Sequence, residues 1–186
     1  MGIKKKIVIT GGPGSGKTTL IRLLESRGFT CFNEISREYI ERGKSNGVDN
    51  AFEDDPVAFS QKIWTGRIQQ YQMASHLTND TDNCQWVFFD RGLPDVVAYL
   101  DSSIKEKKQW EKELKLYPYE QVFLLAPHRS IYQKDDQRFE SFEQAFILHK
   151  AIKAVYESVG KVCEVPFLAP ADRVNLILNH CHGLPA

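Results

Sequence analysis

The chain has 186 residues, of which 42% are hydrophobic and 26% charged, figures that suit one globular domain with one sizeable core. Its 24 basic and 24 acidic residues cancel, which leaves no electrostatic footprint for nucleic acid as a main partner. No apolar run approaches bilayer-spanning length, so no membrane partner is expected.

The N-terminal Met-Gly-Ile-Lys-Lys-Lys runs straight into a strand and leaves no room for a cleavable signal, and Lys6 stands where a myristoylation pattern wants Ser or Thr. A first strand, Lys6–Thr10, leads into Gly11-Gly-Pro-Gly-Ser-Gly-Lys-Thr-Thr19. A helix follows, with Leu20, Leu23 and Leu24 on one side and Gly28 as its stop. Phe29–Asn33 reads as the second strand and Ser36–Arg42 as a helix. After an acidic loop over 44–55, Asp55-Pro56 caps a long helix to about Leu77 that carries Phe59, Ile63, Trp64, Ile68 and Tyr71 at helical spacing. These aromatics fit a core face; the same 44–64 region also lies where an acceptor wall would stand.

Trp86–Asp90 is a buried strand that ends in a charge. Pro94–Leu100 is a short helix, and Lys105–Leu116 a charged one read as a solvated face. Gln121–Leu125 is the next strand, Ser141-Phe-Glu-Gln144 a capping box opening a helix to Gly160, and Lys161–Phe167 the last strand. A final helix is predicted over Asp172–Asn179. Strands alternating with helices predict a three-layer α/β fold on a mostly parallel sheet, and without repeats or a linker residues 1–186 read as one domain. The cysteines Cys31, Cys84, Cys163 and Cys181 form no C-x-x-C pair, as in a reduced cytoplasmic protein, and His180-Cys181-His182 reads as a frayed end.

Gly11-x-x-x-x-Gly16-Lys17-Thr18 matches the full P-loop pattern, with the strand before and the helix after that the pattern requires. Glycines let the backbone of Gly12, Pro13, Gly14, Ser15 and Gly16 curl so that its N–H groups face phosphate oxygens, and the helix opening at Lys17 adds its positive end. In this pattern Lys17 bridges the β- and γ-phosphates, the Thr18 hydroxyl meets Mg²⁺, and Thr19 continues the helix beside the phosphates. The expected ligands are therefore ATP, with GTP possible, and Mg²⁺. Asp90 closes a buried strand at its carboxyl end, where α/β ligands sit, and is the candidate second metal ligand or catalytic acid. Arg91 directly after it places a guanidinium beside an anionic substrate.

The P-loop, Asn33-Glu34-x-x-Arg37 and Phe89-Asp90-Arg91-Gly92-Leu93-Pro94-Asp95 together resemble the AAA-domain family of P-loop ATPase/kinases. That family is related to ribosylnicotinamide kinase domains of bacterial NAD regulators and, more distantly, to thymidylate and deoxynucleoside kinases. Asp136-x-Arg138 and the last strand with Pro166 extend the likeness over most of the chain. The resemblance implies a five-stranded parallel kinase-like sheet with a lid over about 127–140. In the related kinases an acidic residue near Glu34 takes the proton of the attacking hydroxyl; the other reading is that Glu34 pairs with Arg37 or Arg91. Arg37 either holds an anionic acceptor or is a surface charge, and Asp95 either contacts the acceptor or caps its helix. In the polar stretch 127–140, Arg129 and Arg138 are the lid cations expected at the transferring phosphoryl group. Pro170 and Arg173, after the last strand, stand where related kinases place adenine.

Two activities remain open, beside a third reading as a pure binding module without turnover. The first is a kinase moving the γ-phosphate of ATP to a nucleoside, nucleotide or similar small acceptor; the second is a regulatory ATPase or GTPase switch using the same site. Gln133-Lys134-Asp135-Asp136 lacks the Asn of the Asn-Lys-x-Asp guanine motif, which argues against a Ras-like GTPase.

Overall fold

A computed structural model of the chain describes residues 4–36, 39–40, 55–78, 85–132 and 141–183. Its centre is a parallel sheet of five strands: β1 (Lys5–Thr10), β2 (Thr30–Phe32), β3 (Trp86–Asp90), β4 (Gln121–Leu125) and β5 (Val162–Val165), in the order β2-β3-β1-β4-β5. The helices are α1 (Lys17–Ser26), α2 (Pro56–Ser75), α3 (Leu93–Tyr99), α4 (Lys105–Glu113), α5 (Phe142–Glu157) and α6 (Pro170–His182). Ser141 and Gln144 form the expected capping box of α5, and Asp55 caps α2 by accepting from the Ala58 N–H at 2.9 Å.

Alternation along β1 divides the core. Ile7 and Ile9 pack with Leu20, Leu24, Val174 and Ile177 under α1 and α6, while Val8 joins Phe89, Leu124, Ile152 and Tyr156 on the opposite face. A third cluster, with Ile63, Trp64, Leu93, Val97, Trp110 and Leu114, binds α2, α3 and α4 to one another. Trp64 and Trp110 stack there with centroids 4.9 Å apart and planes 7° from parallel.

Three expectations change. The Lys105–Leu116 segment is not simply a solvated face, because Trp110 and Leu114 are buried beneath its charges. The last helix begins two residues earlier and ends three later than its periodicity indicates, with Pro170 at its first position. The 180–182 run is not frayed: Cys181 is buried, His180 sits edge-on to Phe123 and His182 edge-on to Trp86. Among the described residues no helix is long and apolar enough to cross a membrane, and no group of His, Cys, Asp and Glu is spaced to hold a metal by itself.

The register sets the functional edge. Ile9 pairs with Asp90 across β1 and β3, and Phe32 pairs with Phe89 across β2 and β3. Gly11, Glu34 and Asp90 therefore leave the sheet side by side at its carboxyl edge, where strands on the two sides of β1 lead away in opposite directions.

Removing Trp64 empties a stacked, fully packed site that serves the core. Trp64→Ala is expected to lower unfolding stability by about 3–5 kcal/mol in a urea titration, while nucleotide binding by the remaining folded fraction stays within about twofold.

Candidate functional site

The phosphate loop leaves β1 with backbone angles that only glycine adopts freely. Gly11 has φ 139° and a Cβ there would stand 1.9 Å from the Leu125 carbonyl oxygen; Gly14 has φ 72° and a Cβ would stand 2.5 Å from the Tyr132 ring. No side chain caps the start of α1 and its first turn holds no acid, so the N-terminal N–H groups are left for an anion. The loop is braced from outside. Arg173 on α6 is buried and donates through Nη1 to the Ser15 carbonyl at 2.9 Å, and the His128 N–H donates to the Gly14 carbonyl at 3.2 Å.

Lys17 is buried and turned back on its own loop, donating to the carbonyls of Gly11 (2.9 Å) and Gly12 (3.0 Å) and to the Ser15 hydroxyl (3.1 Å). Burial, then the Arg91 charge, pull its pKa down to about 7. Thr18 is half-buried in the first turn, and Thr19 is exposed.

Beside the loop lies a buried ionic cluster. Glu34 accepts from Arg67 Nη2 at 2.6 Å and from Arg91 Nε at 2.5 Å. Arg91 Nη1 donates to Asp95 at 2.9 Å and to the Gly11 carbonyl at 3.2 Å. Asp95 also accepts from the Thr10 hydroxyl (2.6 Å), the Gly92 N–H (2.9 Å) and the Tyr156 hydroxyl (2.6 Å). Arg67 Nη1 donates to the carbonyls of Asp90 (3.1 Å) and Arg91 (2.8 Å). Arg91 itself sits at φ 71°, the one non-glycine residue with positive φ among the described residues. Burial alone raises Glu34, but the Arg67 and Arg91 guanidiniums outweigh it and hold the carboxyl below its usual range. Asp95 is held low in the same way, against its burial, by Arg91 and Arg67 and by the Thr10 and Tyr156 hydroxyls.

Asp90 differs from both. It is 4% exposed, and its Oδ1 is buried without a hydrogen-bond partner among the described residues. Burial, then the Glu34 charge, push it up to about 6. A buried carboxylate oxygen with no donor, next to an open helix N-terminus, suits a hard divalent cation such as Mg²⁺, with Thr18 as the second protein oxygen.

The structure thus gathers Lys17, Glu34, Asp90, Arg91 and Asp95 within one cluster. Glu34 pairs with Arg67 and Arg91, and Asp95 accepts from the Gly92 N–H at the start of α3 and is the hub of the network. Arg173 is turned into the loop as a brace, and Pro170 is exposed at the start of α6. Arg129 is exposed, with Glu143 (3.3 Å) and the Phe142 ring on α5 as its partners. Arg37 and Arg138 lie outside the described residues. Sequence reasoning missed Arg67 and Tyr156. Arg67 had a signal, since a cation falls on the apolar stripe of α2 one turn after Ile63.

The AAA domain family's model matches residues 6–168. The chain belongs to that family. A nucleotide-binding protein of Bordetella pertussis and its counterparts in B. parapertussis and B. bronchiseptica are each 40% identical to it over 52 residues, 28% of this chain and 18% of theirs. The chain therefore covers less than a fifth of those curated relatives. Among solved structures, the fold is similar to deoxyadenosine kinase from M. mycoides with bound dATP (18% identity, TM-score 0.66, 96% of this chain and 100% of that one). It is also similar to NadR protein in complex with NAD and AMP-PNP (21%, 0.65, 98% and 49%) and to thymidylate kinase from Candida albicans (14%, 0.64, 96% and 91%). At these identities the likeness establishes the fold: a P-loop kinase-like α/β sheet.

The pKa directions give a stability test in nucleotide-free, EDTA-treated protein. Asp90 binds its proton more tightly folded than unfolded, so its contribution grows as pH falls from about 6.5 to about 5 and is lost as pH rises through about 6. Glu34 and Asp95 have the opposite sign, and their contribution is lost only below their unfolded values, near about pH 4. His149, whose pKa burial lowers, opposes Asp90 in the same window, so the difference is read: the thermal midpoint of the wild type relative to Asp90→Asn is expected to rise between about pH 6.5 and about 5.

Proposed function

We propose that the chain is an ATP-dependent small-molecule kinase, one domain over residues 1–186, that transfers the γ-phosphate to a nucleoside, nucleotide or related acceptor. The observation that carries this reading is the buried Oδ1 of Asp90, without a donor among the described residues, together with an uncapped phosphate-loop helix. The fold supports it, as do the bound nucleotides named for similar proteins: dATP on the deoxyadenosine kinase, and NAD with AMP-PNP on NadR.

In this reading the backbone N–H groups of Gly12 and of Gly14 to Thr18 hold the phosphates, and Lys17 exchanges its loop carbonyls for β- and γ-oxygens. Thr18 and Asp90 would hold Mg²⁺, which when bound offsets charge on the phosphates. Arg173 keeps the loop in shape through Ser15, and the turn at Pro170 meets the base; GTP remains an alternative donor. Glu34 orients and deprotonates the acceptor hydroxyl, Arg91 holds Glu34 and faces the transferring group through the rest of its guanidinium, and Asp95 fixes Arg91. Arg37 would face the acceptor, and Arg129 and Arg138 would serve the lid over 127–140. A small acceptor rather than nucleic acid fits the balanced charge, and the setting is cytoplasmic.

Incubation with Mg²⁺, γ-labelled ATP and a pool of nucleosides, nucleotides and pyridine ribosides tests the proposal. Label on an added compound is expected. Label only in inorganic phosphate, unchanged by the pool and lost in Lys17→Ala, favours a regulatory ATPase instead. Asp90→Asn is expected to keep the circular-dichroism spectrum and lose Mg²⁺-dependent turnover by about 100-fold or more. Arg138→Ala is expected to weaken nucleotide affinity and turnover by more than about threefold; a smaller effect removes it from the lid.

A further inference from the structure

Beside the phosphate loop, charge is balanced among the described residues before any nucleotide enters. Lys17, Arg67 and Arg91 face the carboxylates of Glu34, Asp90 and Asp95, so the ionised cluster is neutral. A phosphate chain brings further negative charge to this edge, and the start of α1 meets it with only about half a unit of positive charge. One more cation lies against the loop and belongs to none of these pairs.

Arg173, in the first turn of α6, is 3% exposed. Its Nη1 donates to the Ser15 carbonyl at 2.9 Å, and the Phe167 ring lies 5.2 Å from its Cζ. Its Nε is buried without a hydrogen-bond partner among the described residues. No carboxylate among those residues pairs with it; burial is what acts on its ionisation, pulling it downward, and an arginine stays charged even so. A buried cation is costly unless an anion or a full set of acceptors offsets it, and one carbonyl with one ring offsets part of that cost.

The guanidinium is pressed against the stretch of loop that opens α1. Gly16 is the N-cap of that helix at φ 85°, and a Cβ there would stand 3.0 Å from Arg173 Nη2 and 3.3 Å from Nη1. The Ser15 carbonyl and the Gly16 N–H belong to one planar trans peptide and point in opposite directions. A positive donor on that carbonyl therefore draws electron density from the N–H and strengthens it as a donor on the far side of the loop. The neighbouring Gly14 carbonyl receives the His128 N–H at 3.2 Å, a neutral donor. Of these two outer contacts, the one at Ser15 carries the charge.

We infer that Arg173 is an electrostatic positioning residue for the phosphate chain of the nucleotide. Its positive charge, and not its hydrogen bond alone, strengthens phosphate binding through the Ser15–Gly16 peptide, and the phosphates are the anion that balances it. This rests on the nucleotide-binding part of the reading above and holds whether or not transfer follows.

The test measures dissociation constants for AMP-PNP and for ADP, each with excess Mg²⁺, by titration calorimetry on the full chain and on Arg173→Gln and Arg173→Lys. Both replacements keep an N–H donor for Ser15, but only lysine keeps the charge. Circular dichroism checks that each variant is folded at the titration temperature. Arg173→Gln is expected to weaken AMP-PNP by at least about tenfold and ADP, which carries less charge, by about threefold; Arg173→Lys stays within about threefold of the wild type for both. Equal losses in the two variants reveal a structural brace. Equal losses for the two nucleotides reveal a base contact or a cation already balanced within the chain. Either result overturns the inference and leaves the nucleotide site standing. Should Arg173→Gln not fold, Arg173→Lys decides alone, and a loss above about threefold in it overturns the inference. Failure of the wild type to bind AMP-PNP overturns both the inference and the reading beneath it.

Discussion

The carboxylate of Asp95 is the tie on which the carboxyl edge of the sheet depends. Its two oxygens receive donors from the end of β1 (Thr10), from the turn after β3 (Arg91 and Gly92) and from α5 (Tyr156). Burying a charge is costly unless its lone pairs are filled, and here four donors fill them. Tertiary position rather than sequence proximity supplies those partners: Thr10 and Tyr156 stand 85 and 61 residues away along the chain. The same saturation leaves Asp95 no open lone pair for an acceptor, which explains why an acid beside a phosphate site serves as framework. Asp90, in the same cluster, keeps Oδ1 without a donor among the described residues and so has room for a cation.

A second feature of the edge is its graded ionisation. Glu34 and Asp95 are surrounded by guanidiniums and stay charged, whereas Asp90, whose nearest cations are shared with them, is driven upward by burial. Three carboxylates in one cluster are thereby sorted into two held charged by guanidiniums and one, Asp90, whose charge a cation or ammonium beside it would favour. Lys17 is the natural counterpart: its ammonium is desolvated and held by carbonyls, ready to change partners when phosphates enter.

The periodicities and the phosphate-loop pattern made most of the fold legible. Strands β3 and β4 coincide with their apolar runs, and the Ser141 box opens α5 as expected, because local hydrogen-bonding chemistry alone decides those boundaries. The expectations that changed were those decided at a distance. Trp110 looked solvent-facing in a run of lysines and glutamates, yet stacking on Trp64 buries it. The final helix gains a turn at its end because His180, Cys181 and His182 pack on the sheet, a contact no local propensity records. In the site, the phosphate loop, Glu34, Asp90, Arg91 and Asp95 could be named from short motifs. Their assignments could not be, since whether a carboxylate is tied or open depends on Arg67 and Tyr156, which lie on other elements. Arg173 shows the same limit: its place after β5 could be read from the sequence, but the reach of its guanidinium to Ser15 could not.

The left-handed backbone at Arg91 has a consequence for how this site can vary. Glycine or asparagine would relax the backbone there, but neither carries the charge that balances Glu34 and Asp95; lysine keeps a charge, yet has neither the fork nor a relaxed φ. Every single replacement gives up one requirement to meet the other. The position is therefore a fixed point for divergence, and change in this site must arise around it.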